Sequence, residues 1–124
     1  MASDNETGVA EMLEAFNQRR FADFAGCYTT DAVITYPQSG ERIMGRDNIL
    51  AMVQAFPTPP RFTVTNLESA GHLVVAEADV DYGQGPPWKG AFIYTMTGGK
   101  VTFETAYFAA PFDAADWRAP FREA

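Results

Sequence analysis

Leu73-Val74-Val75-Ala76-Glu77-Ala78-Asp79-Val80-Asp81-Tyr82 alternates without a break. In an extended chain, successive side chains point to opposite faces. Val74, Ala76, Ala78, Val80 and Tyr82 therefore share one face, and Val75, Glu77, Asp79 and Asp81 share the other. An apolar face backed by an acidic one defines a strand of an antiparallel sheet with one side in water. The same signal extends to both sides of this stretch. Phe62 to Leu67, Trp88 to Thr97 and Val101 to Ala110 read as strands, separated by Ala70-Gly71-His72, Gly83-Gln84-Gly85-Pro86-Pro87 and Gly98-Gly99. Gly98-Gly99 is a hairpin turn by its dipeptide alone. Consecutive strands joined by short turns make an antiparallel meander.

Alternation also assigns faces on the neighbouring strands. Trp88, Phe92, Tyr94 and Met96 share one. On the last strand Thr102, Glu104, Ala106 and Phe108 lie together, opposite Val101, Phe103, Thr105 and Tyr107. Both faces here are apolar enough to be buried. Helices can cover one, and a partner subunit is expected to cover the other, which predicts a homodimer.

The helices precede the meander. Val9, Met12, Leu13 and Phe16 recur with helical spacing over residues 4–18, and Ser3 with Glu6 has capping-box spacing, Asp4 being an alternative cap. Phe21, Phe24, Ala25 and Tyr28 mark a second, short helix. Ala32-Val33-Ile34-Thr35-Tyr36 is a strand ended by Pro37, Gln38-Ser39-Gly40-Glu41 a turn, and Arg42-Ile43-Met44 a return strand. A third helix carries Ile49, Met52, Val53 and Phe56 and stops at Pro57, Pro59 and Pro60. The expected architecture is α+β, with three N-terminal helices packed on the sheet. Residues 1–124 are expected to form a single domain, with a core of about 8–112 and a tail, 113–124, whose Phe112 (at its start), Trp117 and Phe121 dock on the domain or on a partner chain.

Composition narrows the function classes. The chain has 124 residues, 47% of them apolar, and 14% are aromatic, which supplies the walls of a pocket. Nine basic against sixteen acidic residues leave a formal charge of −7, so nucleic acid is not an expected partner. The one basic pair, Arg19-Arg20, suits a helix end. A single cysteine, Cys27, and a single histidine, His72, provide neither a disulfide nor a zinc cluster. The N-terminal MASDNETG lacks a signal-peptide core, and no apolar run nears the ~20 residues of a membrane span. The expected compartment is the cytoplasm.

Two stretches carry a family resemblance: Phe24-Ala25-Gly26-Cys27-Tyr28-Thr29-Thr30-Asp31-Ala32-Val33-Ile34-Thr35-Tyr36-Pro37 followed by Gly45-Arg46-Asp47-Asn48-Ile49, and Gly99-Lys100-Val101-Thr102-Phe103-Glu104-Thr105-Ala106-Tyr107-Phe108. Their order and spacing resemble the nuclear transport factor 2-like superfamily, which includes ketosteroid isomerases and SnoaL-like polyketide cyclases. The resemblance implies a cone-shaped α+β barrel: a strongly bent antiparallel sheet wrapping the first helix around a pocket open at one end. Such a fold hosts many chemistries. In the ketosteroid isomerases a carboxylate base precedes the proline ending the first strand; here that place holds Tyr36. Their oxyanion hole uses a first-helix tyrosine and a protonated aspartic acid on the penultimate strand, where this chain has Met12 and Phe92. Steroid isomerisation by that mechanism is therefore not expected.

The inward set comprises Met12, Phe16, Val74, Ala76, Ala78, Val80, Trp88, Phe92, Tyr94, Met96 and Phe108, a lining for a small apolar ligand. Glu104 is the first catalytic candidate, because a carboxyl in an apolar cavity has a raised pKa suited to acid/base work. The alternative is that it braces the sheet by pairing with Arg42 or Arg46. Tyr36 is the second, as a hydrogen-bond donor to a ligand carbonyl. Glu77, Asp79 and Asp81 belong to a solvated face, and no metal or cofactor is expected. The sequence thus predicts a small-molecule pocket protein, a cofactor-independent isomerase, cyclase, dehydratase or epoxide hydrolase using Glu104. The competing reading is a non-catalytic ligand-binding or dimeric interaction domain.

Overall fold

A computed structural model describes residues 4–123, so Ser3, the expected cap, lies outside the described residues. Helix α1 spans Asp4–Asn17, α2 Phe21–Gly26 and α3 Arg46–Gln54. The strands are β1 Tyr28–Tyr36, β2 Glu41–Met44, β3 Arg61–Ala70, β4 Leu73–Asp81, β5 Trp88–Thr97 and β6 Lys100–Ala109, and a 3-10 helix covers Asp116–Phe121. Asp4 falls within α1 as its first residue rather than before it.

The six strands form one curved sheet in the order β2-β1-β6-β5-β4-β3. The meander from β3 to β6 is antiparallel throughout, as is β1 with β2. The exception is β1 against β6, which is parallel. This pair needs the long crossover that α3 and the meander supply. Strands β2 and β3 remain as unjoined edges, so the cone is open rather than a closed barrel.

Alternation on β4 sorts side chains as the sequence predicts: Val74, Ala76, Ala78 and Val80 are buried, while Glu77 and Asp81 are exposed. The inner face packs on α1 through Val9, Met12, Leu13 and Phe16, all buried. Each such side chain stabilises the fold by about 1.5–3 kcal/mol.

Two elements differ from the sequence reading. The second helix stops at Gly26, so Tyr28 begins β1 instead of ending a helix. Backbone bonding explains this: Val101 N–H donates to Cys27 O at 2.9 Å, and Lys100 Nζ to Gly26 O at 2.7 Å, drawing the chain onto the start of β6. On β6 the ladder slips where Thr95 pairs with Phe103 and Met96 with Val101. The extra residue, Thr102, leaves the inward set, and Val101 takes a buried place.

Of the two places expected for the tail, the domain and a partner chain, the domain is not the one it uses. Phe112, Trp117 and Phe121 are 85%, 70% and 83% exposed, so they do not dock on their own chain. The Arg118 guanidinium covers one face of Trp117 at 5.3 Å, a contact within the tail itself.

Candidate functional site

Between the concave side of the sheet and the three helices lies a cavity of about 600 Å³. Its helical wall comes from Leu13 and Phe16 of α1, Phe24 of α2, and Met52 and Val53 of α3. Phe16 is the hub: its ring meets Phe21, Phe24, Phe56 and Phe62 with centroids 5.0–6.0 Å apart, mostly edge to face. Aromatic pairs favour that geometry because ring edges are positive and faces negative.

The end of α1 fixes the opposite wall. Asn17 exchanges two hydrogen bonds with the backbone of Phe62, its Nδ2 donating to the carbonyl at 2.8 Å and its Oδ1 accepting from the amide at 2.7 Å. Arg19, in the left-handed region at φ 62, ends the helix and turns its guanidinium to the carbonyls of Pro59 (2.8 Å) and Pro60 (2.7 Å). The proline segment beyond α3 is thereby held against the core, and Pro57, Pro60 and Phe62 present themselves to the cavity. Arg19 also lies 5.7 Å over the Phe16 ring, so its role is local bracing more than a helix-dipole effect.

On the sheet side, the cavity reaches Ile34 and Tyr36 of β1, Val80 of β4, Phe92 and Tyr94 of β5, and Glu104, Ala106 and Phe108 of β6. Gly90 makes room for one of them. A Cβ there would stand 2.8 Å from the Phe92 ring and 3.1 Å from Val80. The mouth is polar, formed by exposed Gln38, Ser39 and Glu41. Gln38 Oε1 accepts the amide of Phe108 at 2.8 Å, tying the turn after β1 to β6.

Glu104 is the charged residue of the buried set, 6% exposed. It sits between Ile34 and Tyr94 in the ladder. Tyr28 Oη donates to its Oε1 at 2.5 Å. Among the described residues the ion pairs are Arg20 with Asp23 and Lys89 with Asp79, so Glu104 is not braced by Arg42 or Arg46. Burial pushes its carboxyl up to about 7, and the Tyr28 hydrogen bond opposes that rise. Tyr28, Tyr94 and Tyr36 are all pushed above the usual phenol range, by burial first and then by the Glu104 charge. They remain protonated phenols at any physiological pH.

Of the residues expected to line a pocket, Phe16, Val80, Phe92, Tyr94 and Phe108 do so, and Tyr36 does as well. Met12, Val74, Ala76, Ala78 and Met96 are buried in the packed core instead, filling the end of the cone where α1 lies against the sheet. Trp88 is half-buried outside the lining, its ring edge-to-face with Tyr82 at 5.5 Å and tilted against Phe108 at 6.0 Å. An inward face thus defines the core, and only its far end opens into the cavity. The Tyr36 hydroxyl rests 3.7 Å from Met52 Sδ, a weak acceptor that a better one would displace.

Tyr28 is the partner that sequence reasoning missed. Its spacing from Phe24 suggested a helical stripe, and nothing local marks it as the residue that crosses to β6. Cys27, half-buried, bonds the Asp23 carbonyl through its thiol, and burial pushes that thiol up. His72 is exposed in its turn. Asp79 is held by Lys89 at 2.7 Å on the outer face. Among the described residues no cluster of three metal-ligating side chains occurs.

A bent, unclosed sheet cupped around a helix defines the nuclear transport factor 2-like fold. Residues 9–104 match the SnoaL-like domain profile, and the chain belongs to that family. An NTF-2 like protein of unknown function from Burkholderia xenovorans LB400 is similar at 33% identity and TM-score 0.87, over 98% of this chain and 94% of that one. A candidate ketosteroid isomerase from Kribbella flavida DSM 17836 superposes with TM-score 0.89 at 22% identity, over 98% and 89%. An LEH-like epoxide hydrolase from M. tuberculosis does so at 0.72 and 16%, over 86% and 83%. At those identities the last two share the fold alone. No curated protein sequence matches significantly. No helix among the described residues is long and apolar enough to cross a membrane.

Proposed function

We propose that this chain binds a small, largely apolar molecule in the cavity and exchanges a proton with it through Glu104, in a cofactor-independent isomerase-, cyclase-, dehydratase- or epoxide-hydrolase-type reaction. One observation carries the reading: a carboxyl with its pKa near neutrality faces an aromatic hollow and has a hydrogen bond on one oxygen. The second oxygen is the group that would give or take the proton. Tyr36, at the cavity edge, would turn its hydroxyl from Met52 to a ligand oxygen. The fold is compatible with this reading, since chains that share it include ones described as an epoxide hydrolase and a candidate isomerase. By the family resemblance, Met12 and Phe92 stand where the ketosteroid isomerases carry their donors and Tyr36 where they carry their base, so that mechanism is not proposed.

Carriage without chemistry is the second reading. It is favoured by the lack of another interior acid among the described residues: Glu41 is exposed at the mouth and bonded to Ser39. A metabolite extract incubated with wild type and with Glu104→Gln separates the two. Conversion of a component by wild type and not by the variant supports catalysis. A component bound in native mass spectra and recovered unchanged supports carriage, and conversion by both removes Glu104 from the mechanism.

We also propose a homodimer formed across the outer sheet face, where Phe103 and Tyr107 are 37% and 42% exposed. The aromatic tail would then find its cover on the second copy.

A further inference from the structure

The cavity carries charge of one sign. Its lining includes two carboxyls, Glu104 inside and Glu41 at the mouth, and no lysine, arginine or histidine. Six phenylalanines and four tyrosines supply the aromatic part of the wall. The Arg19 guanidinium is turned to the carbonyls of Pro59 and Pro60 and lies over Phe16 without lining the space. Glu104 is met from β1 by Tyr28 and Tyr36 and from β5 by Tyr94. The helices contribute only apolar side chains to the lining.

These groups treat three kinds of ligand differently. An anion entering the cavity meets like charge at its mouth and at its base, with no cation to receive it. A neutral molecule meets mainly apolar walls. A cation meets an unpaired carboxyl and the negative faces of many rings, both of which attract it in a site shielded from water. A buried carboxylate without a cationic neighbour is costly, and a ligand can supply the neighbour the protein lacks.

We infer that the cavity selects a lipophilic amine, its protonated nitrogen seated on the free oxygen of Glu104 and its apolar body laid along the phenyl and phenol rings. The inference rests on the small-molecule reading above and names the ligand class for that same site. Binding an ammonium requires ionised Glu104, so association releases a proton where the carboxyl is otherwise protonated. Amine affinity therefore rises from pH 5.5 to pH 8.

Three shape-matched probes test this: 2-naphthylmethylamine, 2-naphthylmethanol and 2-naphthoate, titrated calorimetrically at pH 5.5 and pH 8. At pH 8 the amine is expected to bind about tenfold or more tighter than the alcohol, with the carboxylate weakest. Glu104→Gln, nearly isosteric, is expected to bring the amine down to the level of the alcohol and leave the alcohol unchanged. Equal or tighter binding of alcohol or naphthoate by wild type overturns the ligand class while the pocket stands. Amine binding untouched by Glu104→Gln also overturns it, because the acidic surface then accounts for the affinity. If none of the three binds at millimolar concentration, the small-molecule reading fails with it.

Discussion

Tyr28 donates to one oxygen of Glu104 at 2.5 Å, and the Glu104 side chain lines the cavity. Burial outweighs that one bond, and the carboxyl titrates at about 7 against an ordinary 4.5. In this window the native state holds a proton that the unfolded state has released, so stability falls as pH rises. The contribution is fully present below about 4.5 and lost above about 7, roughly 3 kcal/mol in all. Glu104→Gln, whose amide oxygen still accepts from Tyr28, should remove most of this slope in urea denaturation at pH 5 and pH 8. Equal slopes in the two proteins would show that Glu104 does not titrate there. Tyr28→Phe deletes the one interaction holding the pKa down, so the Glu104 titration followed by carboxyl carbon-13 NMR should move upward; a downward move contradicts the assignment. Alternation together with the family resemblance places Glu104 on the inner face. Its bond to Tyr28 was not legible, because it joins residues 76 apart and depends on where a six-residue helix stops.

Elements were legible wherever a period ran unbroken. The whole of β5 and the face assignment on β4 follow from alternation. The bulge at Thr102 and the longer β1 do not, since both arise from pairing between strands distant in sequence. The same limit applied to the pocket: period shows which side chains face inward, but not how closely α1 fills the cone beneath Met12, Val74 and Ala76. Gly90 illustrates how finely that space is set. A methyl at this position presses on the Phe92 ring from behind. Gly90→Ala is therefore expected to push the ring into the cavity, weakening ligand binding severalfold with a stability loss of about 1–3 kcal/mol. Unchanged affinity for the naphthyl probes would mean that Phe92 yields in another direction.

For the molecule as a whole, the unsolved surface is the convex side of the sheet together with the tail. Phe103, Tyr107, Phe112, Trp117 and Phe121 are all exposed, more aromatic area than an isolated chain ordinarily leaves in water. Sedimentation equilibrium is expected to give a dimer at micromolar concentration, and Tyr107→Glu a monomer with an unchanged circular dichroism spectrum. A wild-type monomer would rule out the outer face as an interface. The sequence pointed to this surface through the two-sided apolarity of β6. For the tail it left two places, the domain or a partner chain, because aromatic content says that a segment seeks cover and not where the cover is.

The parallel pairing of β1 with β6 sets an order of events during synthesis. Thr35 and Thr105 end as neighbours although 70 positions separate them. At ordinary translation rates β1 leaves the ribosome roughly 4–14 s before the strand that flanks it. Until then the nascent protein has helices and an aromatic wall but no acid behind them. A chain interrupted short of residue 104 could still be greasy inside, yet it would lack the group that makes the hollow selective.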